Sequence, residues 1–193
     1  MHIHRLLPVL AVVAFAACSD KATGPTGNQG ALTFNFAGSA TGSGTFNVTG
    51  VMPTSASSLN NADAAAGTKD TEKDIFDVLG VNARGSGKYD LAVMQTGSLT
   101  AGTVNITSTC DPSSANCAEF GYLTNFDFNT QTYDLVCALA SGSVTITEVT
   151  DSRLKGTFSG NGLCVDTQTN LTTFAATSGT FNVPLVAGLP QTP

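Results

Sequence analysis

SGSVTITEVTDSRLKGTFSG, residues 141–160, decides the fold class. Val144 and Ile146 alternate with Ser143, Thr145 and Thr147, and Leu154 and Phe158 stand among Lys155, Thr157 and Ser159. A period of two is the mark of a strand with one buried and one solvated face. Thr150, Asp151 and Ser152 break the pattern with side chains that bond their own backbone in turns. The same habit spreads outward in both directions. Leu32, Phe34 and Phe36 alternate with Thr33 and Asn35, and Phe46 and Val48 repeat it in GTFNVTG (44–50). Further runs of this kind cover residues 88–95, 103–109, 118–128, 132–140, 163–167 and 172–186, and residues 72–83 read as a strand more readily than as a short helix. Residues 52–68 read as a loop, with a helical turn at 61–66. Turn-rich breaks roughly every ten residues predict an all-β domain of about 9–11 strands, either an antiparallel β-sandwich or a partly open up-and-down, calycin-like barrel. The tripeptide Gly-Thr-Phe recurs at 44, 156 and 179 at irregular intervals, which fits a turn glycine, a strand threonine and an inward ring rather than a solenoid period.

The composition agrees. Of 193 residues only 11% are charged, while 41% are hydrophobic, enough for a packed core. Thr, Ser, Asn and Gly occupy the places where Lys and Glu usually stand. The formal net charge is −6. The cations are scattered among acids, so no basic patch exists to attract a phosphate backbone, and nucleic acid is not an expected partner.

The front of the chain differs in kind. His2, His4 and Arg5 form a weakly basic head, residues 6–15 are apolar, and Ala16-Ala17 supply small residues, the order of a secretory signal over residues 1–17. The apolar run is too short for a bilayer, which needs roughly 20 residues. Phe15-Ala16-Ala17-Cys18 resembles the lipobox of bacterial lipoproteins, with Phe15 where leucine is most usual. The resemblance implies lipidation of Cys18 and a membrane partner reached through that lipid. Removal of Arg5 with the signal would make the charge −7, seven Lys and Arg against fourteen Asp and Glu. Residues 18–30 then form a tether, SDKATGPTGNQG behind the cysteine, whose twelve residues span about 20 Å as a flexible coil. Ser19 after the cysteine points to the outer membrane by likeness to the enterobacterial sorting rule. One domain follows over residues 31–187, with a tail at 188–193.

Four cysteines remain, and an even number in an exported chain predicts two disulfides. Of three possible pairings, Cys110–Cys117 closes the turn-rich loop CDPSSANC and Cys137–Cys164 joins two predicted strands. The gaps of six, nineteen and twenty-six residues lack the tight pairs of a zinc site.

Both histidines lie in the signal segment, so a processed chain has none, which removes Ser-His-Asp and Cys-His catalysis and histidine-ligated metals. No GxSxG, GxGxxG or P-loop motif is present. Carboxylates remain, and a glycosidase needs only two. The candidates are Asp90, Glu119, Asp127, Asp134, Glu148, Asp151 and Asp166, most of them beside turn residues. Asp127, Asn129, Gln131 and Asp134 place oxygen ligands at nearly alternate positions, as calcium loops do, but without the central glycine and final glutamate of an EF-hand. A hairpin turn explains the same residues. The expected set is therefore no catalytic residue, no cofactor and no resident metal, with this loop the one calcium candidate. Tyr89, Tyr122 and Tyr133 are the only tyrosines and there is no tryptophan, so the sequence offers little for stacking sugars.

The segment 141–160, a short excursion, and SGTFNVPL (178–185) together resemble uncharacterised β-rich lipoproteins of Bacteroidetes-type bacteria, in which a GxVxITE strand pairs with a GTF strand and the chain closes on GxFxVPL. The likeness spans roughly residues 86–186 and implies a fold and an address, not a reaction. The expectation is a non-catalytic, lipid-anchored envelope protein acting as a binding or structural module. Two alternatives stay open: a carrier of a small apolar ligand inside a barrel, and a carboxylate-dependent hydrolase.

Overall fold

A computed structural model describes residues 29–55, 58–59, 61–72, 75–97, 100–108, 110 and 117–187. The alternating runs form ten strands: β1 (Gly30–Gly38), β2 (Gly42–Gly50), β3 (Ala64–Asp70), β4 (Ile75–Gly85), β5 (Lys88–Thr96), β6 (Gly102–Thr107), β7 (Cys117–Asp127), β8 (Leu135–Val149), β9 (Arg153–Asp166) and β10 (Leu171–Pro184). They hydrogen-bond into one sheet in the order β2-β1-β10-β9-β8-β6-β7-β5-β4-β3. Between the two expected architectures the barrel is the one formed. Read around, this is an up-and-down barrel in which β10 pairs with β1, and the open seam lies between β2 and β3. All ladders are antiparallel except a two-residue parallel pairing of β6 with β7, where β6 wedges between β7 and β8.

The seam explains one misreading of the sequence. The run 52–68 is not all loop, and 61–66 is not a helical turn, because β3 begins at Ala64. Ala64, Ala65 and Ala66 are completely buried. They are small because two other strands cross them. A Cβ on Gly30 would lie 2.0 Å from the Ala65 carbonyl oxygen, and one on Gly50 would lie 2.0 Å from that of Asp63. Close backbone approach demands glycine and alanine, and alanine reads from sequence as helix or loop rather than strand. Single bridges, Val51 to Ala65 and Gly67 to Leu185, tie the seam.

The two halves of the sheet are buried differently. On β3, β4, β5 and β7 the inward residues, among them Val78, Met94 and Phe120, join the barrel core, while Leu79, Val81, Leu91 and Leu123 on the opposite face pack under Met52 and Leu59 of the connection 51–63. Strands covered on both faces carry near-continuous apolar runs. That is why DIFDVLGV looked ambiguous between strand and helix. On β6, β1, β2, the 141–160 stretch of β8 and β9 and most of β10 the large apolar side chains face inward, whereas Val136 near the start of β8 packs on the second cluster and Leu171 at the start of β10 is exposed.

Candidate functional site

The barrel interior is the first place a ligand could sit, and its own rings occupy it. Phe34 stacks on Phe46 with centroids 5.1 Å apart, and meets Phe120 edge-on at 5.3 Å and Tyr122 at 5.5 Å. Phe120 lies 4.9 Å from Phe158, and Tyr122 stacks on Phe174 at 6.0 Å. These rings come from β1, β2, β7, β9 and β10 and are all buried. Offset and edge-on ring pairs at such distances are favourable packing rather than the lining of a void. Phe36, half-buried, leans on Tyr122 at 5.6 Å from the mouth of the barrel.

A polar cluster sits at that mouth. Asp90 is buried, and its Oδ2 accepts hydrogen bonds from Arg84 Nε at 2.7 Å, from Arg84 Nη2, and from the Tyr122 hydroxyl at 2.9 Å. Its Oδ1 accepts the backbone N–H of Asn125 at 3.0 Å, a residue held at a left-handed φ of 53°. The hydrogen bond to Asp90 raises the Arg84 guanidinium further, and burial, followed by the charge of Asp90, pushes the Tyr122 phenol above its usual range. Every oxygen of the carboxylate is thus engaged, which stabilises a buried charge. Sequence reading placed Asp90 among the carboxylates but missed its partners, which stand six and thirty-two positions away.

The other candidate carboxylates are dispersed. Glu119 is nine-tenths buried on the outer face of β7, its Oε2 has no partner among the described residues, and burial raises its carboxyl. Asp90 points to the inner face and Glu119 to the outer, so the sheet separates the two buried acids and they form no dyad. Glu148 pairs with Lys155 at 2.7 Å. Asp127 accepts the N–H groups of Asn129 and Thr130, which lower its carboxyl, and Gln131 adopts a φ of 54°. Asp134 accepts from the Asn125 amide at 2.7 Å. The four residues considered for calcium therefore build the hairpin between β7 and β8. Asp166 does the same for Gln168 and Asn170, whose amide and backbone hold its carboxyl low. Among the described residues no group of three or more His, Cys, Asp or Glu could hold a metal ion.

Both expected disulfides form. Cys137 and Cys164 stand opposite each other on β8 and β9 with Cα atoms 3.9 Å apart, completely buried, and Cys110 bonds Cys117 at the start of β7. Cys18, the signal segment 1–17, the tether as far as residue 28 and the tail 188–193 lie outside the described residues.

The remaining surface is the outer face of the second half of the sheet. Thr103, Thr145, Thr157, Thr180 and Thr33 stand in register across β6, β8, β9, β10 and β1, and the line ends at Asn47 on β2. The next line out holds Asn105, Ser143 and Ser159, then Asn35 and Thr45 beyond a bulge in β10. Some of these hydroxyls bond one another, as Thr103 does Thr145 at 2.9 Å. No protein-family model matches the chain, and no curated protein or solved structure matches it either.

Proposed function

We propose that this chain is a non-catalytic, lipid-anchored protein of the bacterial cell envelope, tethered through Cys18 and working through the outside of its barrel. The packed interior carries the reading. A carrier of apolar ligands needs a cavity, typically about 300–1,000 Å³, where this barrel holds Phe34, Phe46, Phe120, Tyr122, Phe158 and Phe174. What is left for recognition is the surface, where hydroxyl and amide side chains stand in register across β6, β8, β9, β10, β1 and β2.

The address rests on three supports. The signal-like segment ends in Ala-Ala-Cys, a polar tether follows, and the domain is stapled by two disulfides of the kind that persist in oxidising compartments. The likeness to β-rich Bacteroidetes-type lipoproteins and Ser19 after the cysteine extend the proposal to the outer membrane. Fractionation tests it. The native chain is expected in the membrane fraction and Cys18→Ala in the soluble fraction of the envelope. Tight membrane association of Cys18→Ala, or native protein in the cytosol with residues 1–17 intact, would refute the anchor.

A further inference from the structure

We propose that a groove on the outer face of β8, β9 and β10 binds a neutral saccharide unit. The inference rests on the surface reading above and gives it a ligand class. The groove has a volume of about 310 Å³ and is lined by Ser143, Thr145, Thr157, Ser159, Ser178 and Thr180, together with Phe158 and Gly179, so carbon as well as hydroxyl oxygen faces it.

The concavity has a structural cause. The pairing of β10 with β9 shifts between Ala176 and Gly179, so Thr177 and Ser178 together face Ser159. Ser178 takes a φ of 53°, unusual for a residue with a side chain. A bulge of this kind bends the strand and re-aims its side chains. Gly179 is required beside it, since a Cβ there would stand 2.6 Å from the ring of Phe158. The bulge thereby sets Ser178 beside the two neighbouring hydroxyl lines.

The lining selects the ligand by charge and by hydrogen bonding. None of the lining side chains is ionised. The nearest cation along β9, Lys155, is engaged by Glu148, and Arg153 is bonded to Asn182. An ionic ligand would meet no counter-charge. Each hydroxyl both donates and accepts, so the set can answer another polyol whatever the sense of its own hydroxyls. Each threonine also presents a methyl group, suited to the C–H faces of a pyranose ring.

The test uses the full chain carrying Cys18→Ala, titrated with cellobiose, maltose and N,N′-diacetylchitobiose, with digalacturonate as the charged comparator, and read by saturation-transfer NMR. Saturable binding of at least one neutral disaccharide is expected, weakened about tenfold or more by Thr157→Val with Ser159→Ala, since a hydroxyl built to meet a ligand is worth about that factor. Ser43→Ala, on the exposed part of β2, should change nothing, and thermal melting should show all variants folded. No saturable binding, equal binding of digalacturonate, or indifference to the Thr157 and Ser159 changes would overturn the proposal. Such a failure is distinct from failure of the anchor, which fractionation reads without reference to the groove.

Discussion

Phe34→Ala probes the packed barrel most sharply. Phe34 is buried and its ring meets those of Phe36, Phe46, Phe120, Tyr122 and Phe158 at centroid distances of 5.1 to 6.3 Å. Individual ring pairs contribute about 0.5–1.5 kcal/mol beyond area burial, but they share one side chain and do not add. The better measure is the whole truncation, about 3–5 kcal/mol for a buried phenylalanine, part of it from the cavity left behind. For a domain of this size each kcal/mol moves Tm by about 2–4 °C, so a fall of roughly 6–20 °C is expected. Urea melts should show a lower midpoint with the slope retained, since the same surface is exposed on unfolding. The cavity should be dry and apolar, and such cavities bind benzene. Benzene should therefore raise the Tm of the variant by mass action and leave the native chain unchanged. A Tm shift below about 2 °C, too small for a cavity of this kind, or equal benzene stabilisation of both proteins, would show that the interior had room before the ring was removed.

Three further outcomes follow from the same geometry. Tyr122→Phe keeps the ring and loses one hydrogen bond to a charged acceptor, costing about 1.5–3 kcal/mol, whereas Asp90→Ala strands the Tyr122 hydroxyl and the Asn125 N–H together and should cost about 3–5 kcal/mol; equal losses in denaturant melts would contradict the network. Burial raises the Glu119 carboxyl above its unfolded value, so between the two values the native state holds more protons and stability falls as pH rises through that window. Glu119→Gln should accordingly gain about 1 kcal/mol at neutral pH and nothing below the ordinary carboxylate range, and a gain present at both pH values would point elsewhere. Cys137→Ser with Cys164→Ser removes a cross-link spanning 27 positions and should cost about 2–4 kcal/mol by chemical denaturation, while unchanged stability would mean the bridge is not formed in the native protein.

What the sequence revealed depended on how each strand is buried. The 141–160 stretch of β8 and β9 is legible because Val144, Ile146, Leu154 and Phe158 face the core while Ser143, Thr145, Thr157 and Ser159 face away, which leaves a period of two in the residues themselves. β4 was ambiguous because the connection 51–63 covers its outer face, and Leu79 and Val81 are apolar for that reason alone. β3 was missed because its alanines answer to the crossing strands at Gly30 and Gly50, contacts no local window contains. The disulfides are legible from the even number of cysteines in the domain and the turn residues between Cys110 and Cys117. The candidate groove was not, although every hydroxyl in it was visible. Its existence depends on the register that aligns Thr145, Thr157 and Thr180 and on the bulge at Ser178, and both are properties of paired strands. The calcium-like spacing has a local explanation: Asp127 Oδ1 accepts the N–H groups of Asn129 and Thr130, so the turn accounts for this carboxylate without a cation.

The intact mass of the protein extracted from native membranes tests the central claim in one reading. The account predicts a chain beginning at Cys18, heavier than its residues by a lipid modification, and four hydrogens lighter than the reduced form through Cys110–Cys117 and Cys137–Cys164. An unmodified chain beginning at Met1 with four free thiols in the domain would contradict it.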